Sequence, residues 1–148
     1  MLSAFALVAG IVLFWILVLA VRRTDVPAPT MRMEPVAKVG NLAAAIGGVG
    51  TIVFGVWLAI SLDAYKVWDG WVIAAIVLWA IAVGTGQRAG VAYTAGMKRA
   101  EELQTSGQAG PSAELLALNR TVSGLLMHAL STIAVALILL DMIWKPGA

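Results

Sequence analysis

VGNLAAAIGGVGTIVFGVWLAISL, residues 39–62, runs for 24 residues without a charge, and its reading decides the fold. A hydrocarbon core of about 30 Å is crossed by roughly 20 apolar residues rising about 1.5 Å each. No water reaches backbone N–H and C=O groups there, so a crossing segment of this kind has to be a helix. Three similar runs accompany it: Leu2–Val21, Gly70–Gln87 and Thr121–Leu140, of 20, 18 and 20 residues. Met142 and Ile143 carry the last one past Asp141 to residue 143. The expected fold is an all-α membrane protein, one domain over 1–148 with four transmembrane helices in an antiparallel bundle. Its spans are 2–21, 39–62, 70–87 and 121–143, joined on one side by the loops 22–38 and 88–120.

Composition points the same way. The chain is 61% hydrophobic and 12% charged, against about 25% charged residues in soluble domains. Its surroundings are therefore membrane lipid. The net charge of +2 comes from basic residues beside the spans. There they set orientation, and nucleic acid is not an expected partner. With no cysteine, disulfides, thiolate metal sites and thiol redox chemistry are excluded. The first run is far longer than the roughly 7–15 apolar residues of a signal peptide, and it lacks a basic segment ahead of it. It reads as an uncleaved first span.

The charges orient the spans. Arg22, Arg23, Arg32 and Lys38 lie in the first loop, and Arg88, Lys98, Arg99 and Arg120 in the third. Only Lys66 and Lys145 fall on the opposite side, so the bias is eight to two. Short loops rich in Lys and Arg stay in the cytoplasm. The expectation is a multi-pass protein of the bacterial inner membrane with both termini outside. Tyr65, Trp68, Trp71 and Trp144 fall at the outer span ends, where amphipathic rings sit at headgroup level.

Residues 88–104 have helix-forming composition and no proline, which carries the third span on as a cytoplasmic helical extension. Thr105-Ser-Gly-Gln-Ala-Gly-Pro111 breaks it. Ser112 then reads as an N-cap with Glu114 in the first turn, leading into the fourth span. The first loop, with Pro27, Pro29 and Pro35, reads as extended.

Small residues recur at four-residue spacing. One row on the second span is Ala43, Gly47, Thr51, Gly55 and Ala59; a second is Gly40, Ala44 and Gly48; the third span carries Ala82, Gly86, Gly90 and Thr94. Helices in lipid associate by close backbone approach, which such residues permit. The rows join the second and third spans within one chain, or they join chains.

His128 is the only histidine and lies inside the fourth span. Gly124, Ser131 and Thr132 share its helix face. An intramembrane ionisable residue is a candidate for binding a cofactor, ligand or proton. The bland alternative is a neutral ring held by Ser131, Thr132 or a carbonyl. A bis-histidine haem within one chain is excluded, and the adjacent Met127 cannot reach the same iron. Met31 and Met33 suggest Cu(I) by their thioethers, but no further methionine is spaced to join them. The run Gly84-Thr-Gly-Gln-Arg-Ala89 mimics a dinucleotide fingerprint without the strand that motif needs. Asp63, Asp69 and Asp141, with Lys66 and Lys145, form an outer rim that reads as solvated or as a cation-attracting mouth. No catalytic triad, zinc-binding helix or phosphate loop is present, so no enzyme activity, bound metal or cofactor is expected of this chain alone.

Lys38-Val-Gly-Asn41, Trp71 to Trp79 and the terminal Asp141-Met-Ile-Trp-Lys-Pro-Gly147 carry a resemblance over nearly the whole chain. It resembles a bacterial family of predicted integral membrane proteins, a four-span domain of unknown function. That family is in turn similar to copper-resistance membrane proteins. The resemblance implies the four-span fold. Metal or haem handling in those relatives goes with histidines in the first span, and Met1 to Val21 has none. Three functions fit these readings. One is a non-catalytic subunit packed against a larger membrane complex of the respiratory or energy-converting kind. Another is a small homo-oligomeric transporter or channel lined by the His128 face. The third is a haem or metal protein that takes its second ligand from a neighbouring chain.

Overall fold

The structure is a computed structural model that describes residues 2–61 and 69–144, without the side chains of residues 58 and 59. The described residues form six helices and no strand: α1 (Leu2–Val21), α2 (Pro27–Met31), α3 (Glu34–Ser61), α4 (Gly70–Thr105), α5 (Ala113–Asn119) and α6 (Val122–Trp144). Four of them, α1, α3, α4 and α6, are long and apolar enough to cross a membrane. Their outer faces remain apolar and open. Val39, Leu42, Ile46, Val49 and Val53 on α3 are each more than half exposed. In water such a stripe would be a large apolar patch; in lipid it is already solvated.

The four long helices pair as α1 with α3 and α4 with α6. The first pair is a backbone-to-backbone contact. A Cβ added at Gly10 would lie 2.6 Å from the backbone nitrogen of Ala44 and 2.9 Å from the carbonyl oxygen of Gly40. One added at Gly47 would overlap the backbone of Leu7. Residue numbers rise on one helix as they fall on the other. The second pair meets through Gly124, whose added Cβ would come within 3.2 Å of Ala92, and through Gly86, 3.2 Å from Ser131 Oγ. Contact between α3 and α4 is sparse by comparison.

The first loop departs from the extended reading. Pro27–Met31 forms a helical turn, α2, and α3 begins at Glu34, with Pro35 next to it. Proline disrupts a helix interior but is tolerated in the first turn, where its missing N–H would have had no partner. These prolines start helices. Glu34 also pairs with Lys38 one turn on, at 2.7 Å.

α4 continues unbroken for 36 residues to Thr105, about 54 Å at 1.5 Å per residue. Gly107 then takes a positive φ of 79°, a conformation glycine adopts without steric penalty. Ser112 caps α5 by accepting from the backbone N–H of Leu115. Ala100, Leu103 and Leu115 close an apolar core there, with Met31 packed against it. So Met31 serves α2 as packing. Asn119, fully buried, fastens the first loop to this core: its Nδ2 donates to the Thr24 carbonyl at 3.0 Å and to Thr30 Oγ1 at 3.4 Å. Ser112 N–H donates to the Asp25 carbonyl at 2.9 Å, and Arg22 Nη1 to the Thr121 carbonyl at 3.0 Å.

Candidate functional site

Because the two helix pairs touch little along α3 and α4, a cleft of about 570 Å³ lies between them, lined by all four long helices. Small-molecule sites commonly hold about 300–1,000 Å³. On α4 the cleft runs from Trp79 to Thr94, roughly 22 Å of helix. At the Trp79 end the indole Nε1 donates to the Gly48 carbonyl at 3.1 Å, tying α4 to α3. On α3 and α4 the wall includes Ala44, Ala45, Gly48, Ala82, Gly86 and Gly90, whose small side chains leave the space unfilled. Nothing lies within 4 Å of a Cβ added at Gly90.

The back of the cleft is where α1 meets α6. His128 is buried there between two rings, with Phe14 and Trp15 centroids each 4.8 Å from the imidazole. Trp15 Nε1 donates to Thr132 Oγ1 at 3.0 Å, and Thr132 Oγ1 donates to the His128 backbone carbonyl at 2.9 Å. Ser131 Oγ donates to the Ala82 carbonyl at 2.9 Å. Both hydroxyls expected to hold the imidazole are therefore committed elsewhere. His128 Nε2 is buried and has no hydrogen-bond partner. Buried polar atoms in folded proteins are normally paired, with protein or with ordered water.

The small residues named from the sequence divide between seam and cleft. Gly40, Ala44 and Gly47 face α1, where the partner residues are Gly10, Leu7 and Leu13. Gly48, Ala82, Gly86 and Gly90 line the cleft, as do Ala44 and His128. Thr51 donates to the Gly47 carbonyl of its own helix at 2.7 Å. A Cβ on Gly55 would meet only the end of Met142, at 3.9 Å. The side chain of Ala59 lies outside the described residues, as do Asp63, Tyr65, Lys66, Trp68 and Lys145. No group of three or more His, Cys, Asp or Glu residues is placed to hold a metal among the described residues.

Sequence reasoning missed Gly10, Phe14, Trp15, Asn41 and Gln87. Gly10 is the one glycine of the first run, and only Ala6 stands at four-residue spacing from it, too short a row to mark it. Asn41 and Gln87 had a visible signal, because each is a carboxamide at the edge of an apolar run. Comparison with family models, curated proteins and solved structures finds no match to this chain.

Proposed function

We propose that this chain is a non-catalytic, multi-pass membrane subunit that holds a membrane-soluble molecule in the cleft between its two helix pairs, in service of a larger membrane complex. The observation that carries the reading is the 570 Å³ cleft with His128 in its wall. An apolar hollow with a few converging polar groups is the usual form of a small-molecule site. The eight basic residues, around α2 and α5 and in the second half of α4, support an orientation with that end in the cytoplasm and both termini outside. A reporter active only in the periplasm, fused after Ala148, is expected to be active; an inactive, well-expressed fusion inverts the topology.

A small homo-oligomeric carrier would need the same cleft. A haem bridged to a neighbouring chain is less well supported, since Phe14 and Trp15 cover the His128 ring on the side of α1. The test is retention. Protein purified in mild detergent is extracted with solvent, and the extract is analysed by mass spectrometry for a molecule in fixed ratio to the chain. Gly90→Leu puts a side chain into the cleft at a position where an added Cβ meets nothing within 4 Å. Gly84→Leu is the control, on exposed helix surface outside the cleft with open space around it. Loss of the molecule from Gly90→Leu alone supports the reading, and equal retention by both variants overturns it. Unrelated chains in fixed ratio support the subunit role. A pure homo-oligomer that moves its ligand across vesicles replaces that role with transport.

A further inference from the structure

Resting on the cleft-binding reading, we propose that the molecule held is of the quinone class: an uncharged, planar, carbonyl-bearing ring on an apolar tail. Charge is the first argument. No charged side chain lines the cleft, so a phosphate or carboxylate head would find no cation in the wall to pair with. The head must be neutral.

Donors are the second argument. The polar wall groups Asn41, Gln87, Thr94 and His128 gather in the half of the cleft nearer α2 and α5. The Thr94 hydroxyl is spent on the Gly90 carbonyl at 2.8 Å, as Ser131 is on Ala82. That leaves two carboxamides and an imidazole, groups that donate N–H. Carbonyl oxygens only accept. A quinone head therefore matches this half of the wall in hydrogen-bonding sense.

Shape is the third. Phe14 and His128 both line the cleft, with ring centroids 4.8 Å apart and planes tilted by 46°. A flat ring packs on such a surface by offset or edge contact. Farther toward Trp79 the wall is apolar, with Leu7, Ile11, Val135 and Ile138, which suits a hydrocarbon tail and offers nothing to a second polar group. A diacylglycerol shares the neutral oxygen-bearing head but has no ring.

The test uses the full chain in mild detergent, titrated with a decyl-tailed benzoquinone while tryptophan fluorescence is read. Short-chain diacylglycerol and short-chain phosphatidylglycerol serve as competitors. We expect saturable quenching that neither lipid displaces. Gln87→Leu, an exposed site where folding is not at risk, should weaken it about threefold to tenfold, the effect of one hydrogen bond. Gly90→Leu should abolish the saturable part and Gly84→Leu should keep it. Displacement by diacylglycerol at lower concentration than the quinone overturns the quinone class and leaves cleft binding standing. Quinone quenching that is equal in Gly90→Leu and Gly84→Leu overturns the quinone site; whether any cleft ligand exists is then read from the retention experiment.

Discussion

Gly47 and Gly90 are both glycines inside apolar helices, and the molecule uses them in opposite ways. Gly47 lets the backbone of α1 lie against α3 so closely that no Cβ fits. Gly90 faces open space with nothing within 4 Å. One glycine closes a seam and the other keeps a hollow empty. A small residue in a membrane helix therefore licenses close approach without saying that approach occurs. What decides it is the facing helix, and Gly10 supplies the complementary gap for α3 where nothing on α3 fills the space before Gly90.

The largest expected effect separates the two directly. Gly47→Leu must push α1 off α3 or shift their register, with about 3 kcal/mol or more lost, at the top of the overpacking range. Gly90→Leu should lie within about 1 kcal/mol of the parent and on the stabilising side, since glycine in a helix interior is the less stable choice. Thermal unfolding in one detergent compares them. Equal losses in the two variants would mean that the cleft is closed in the folded protein.

Asn119 sharpens the comparison from a second closed seam. A Cβ on Gly96 would lie 2.7 Å from Asn119 Oδ1, so Gly96→Ala forces the carboxamide away from Thr24 and Thr30. A loss of about 1–3 kcal/mol is expected, the range for orphaning a buried hydrogen-bonding group. Asn119→Ala should lose a similar amount. Because both variants break the same contact, the double variant should lose clearly less than the sum. Strict additivity would show that Gly96 and Asn119 act independently.

Much of this was legible in the chain and some was not, for identifiable reasons. Four uncharged runs fix four long helices because lipid leaves a crossing segment no alternative to the helix. The continuation of α4 to Thr105 and the cap at Ser112 were legible because each depends on neighbours a few residues away. Pairing was hidden, because it depends on two helices at once: Gly10 means nothing until Ala44 stands opposite. Pro27 and Pro35 misled, since a proline that starts a helix and one that prevents it look alike in a string. The surroundings of His128 were hidden for the same reason as the pairing. Ser131 and Thr132 share its face, but Ala82 on α4 and Trp15 on α1 claim them.

His128 tests the wall of the cleft with a smaller change. Its Nε2 has no partner to lose, so His128→Leu removes an unsatisfied polar atom and keeps an apolar surface for Phe14 and Trp15. The folded protein should be unaffected or up to about 1 kcal/mol more stable, as when unpaired buried polar groups are replaced by apolar ones. Ligand retention should fall in the same variant. A destabilised His128→Leu that still retains its ligand would make the ring a structural element of the α1–α6 contact and remove it from the site.

The smallest effect is expected where the structure displays the most charge. Arg99 donates from Nε and Nη2 to Glu114 at 3.1 and 2.8 Å and from Nη1 to Glu102 at 2.9 Å, joining α4 to α5 outside the apolar core. Hydrogen bonds to Glu102 and Glu114 push the guanidinium above its ordinary pKa. The carboxylates are well exposed, at 65% and 62%, and water and salt screen such pairs. Nearby, Leu115 and Asn119 hold the same junction without charge, at 0% and 1% exposure. Arg99→Ala should therefore leave the unfolding midpoint unchanged at moderate salt and leave ligand retention intact. A clear drop in midpoint that high salt reproduces in the parent protein would make this ionic clip, and not the buried core beside it, the fastening of α4 to α5.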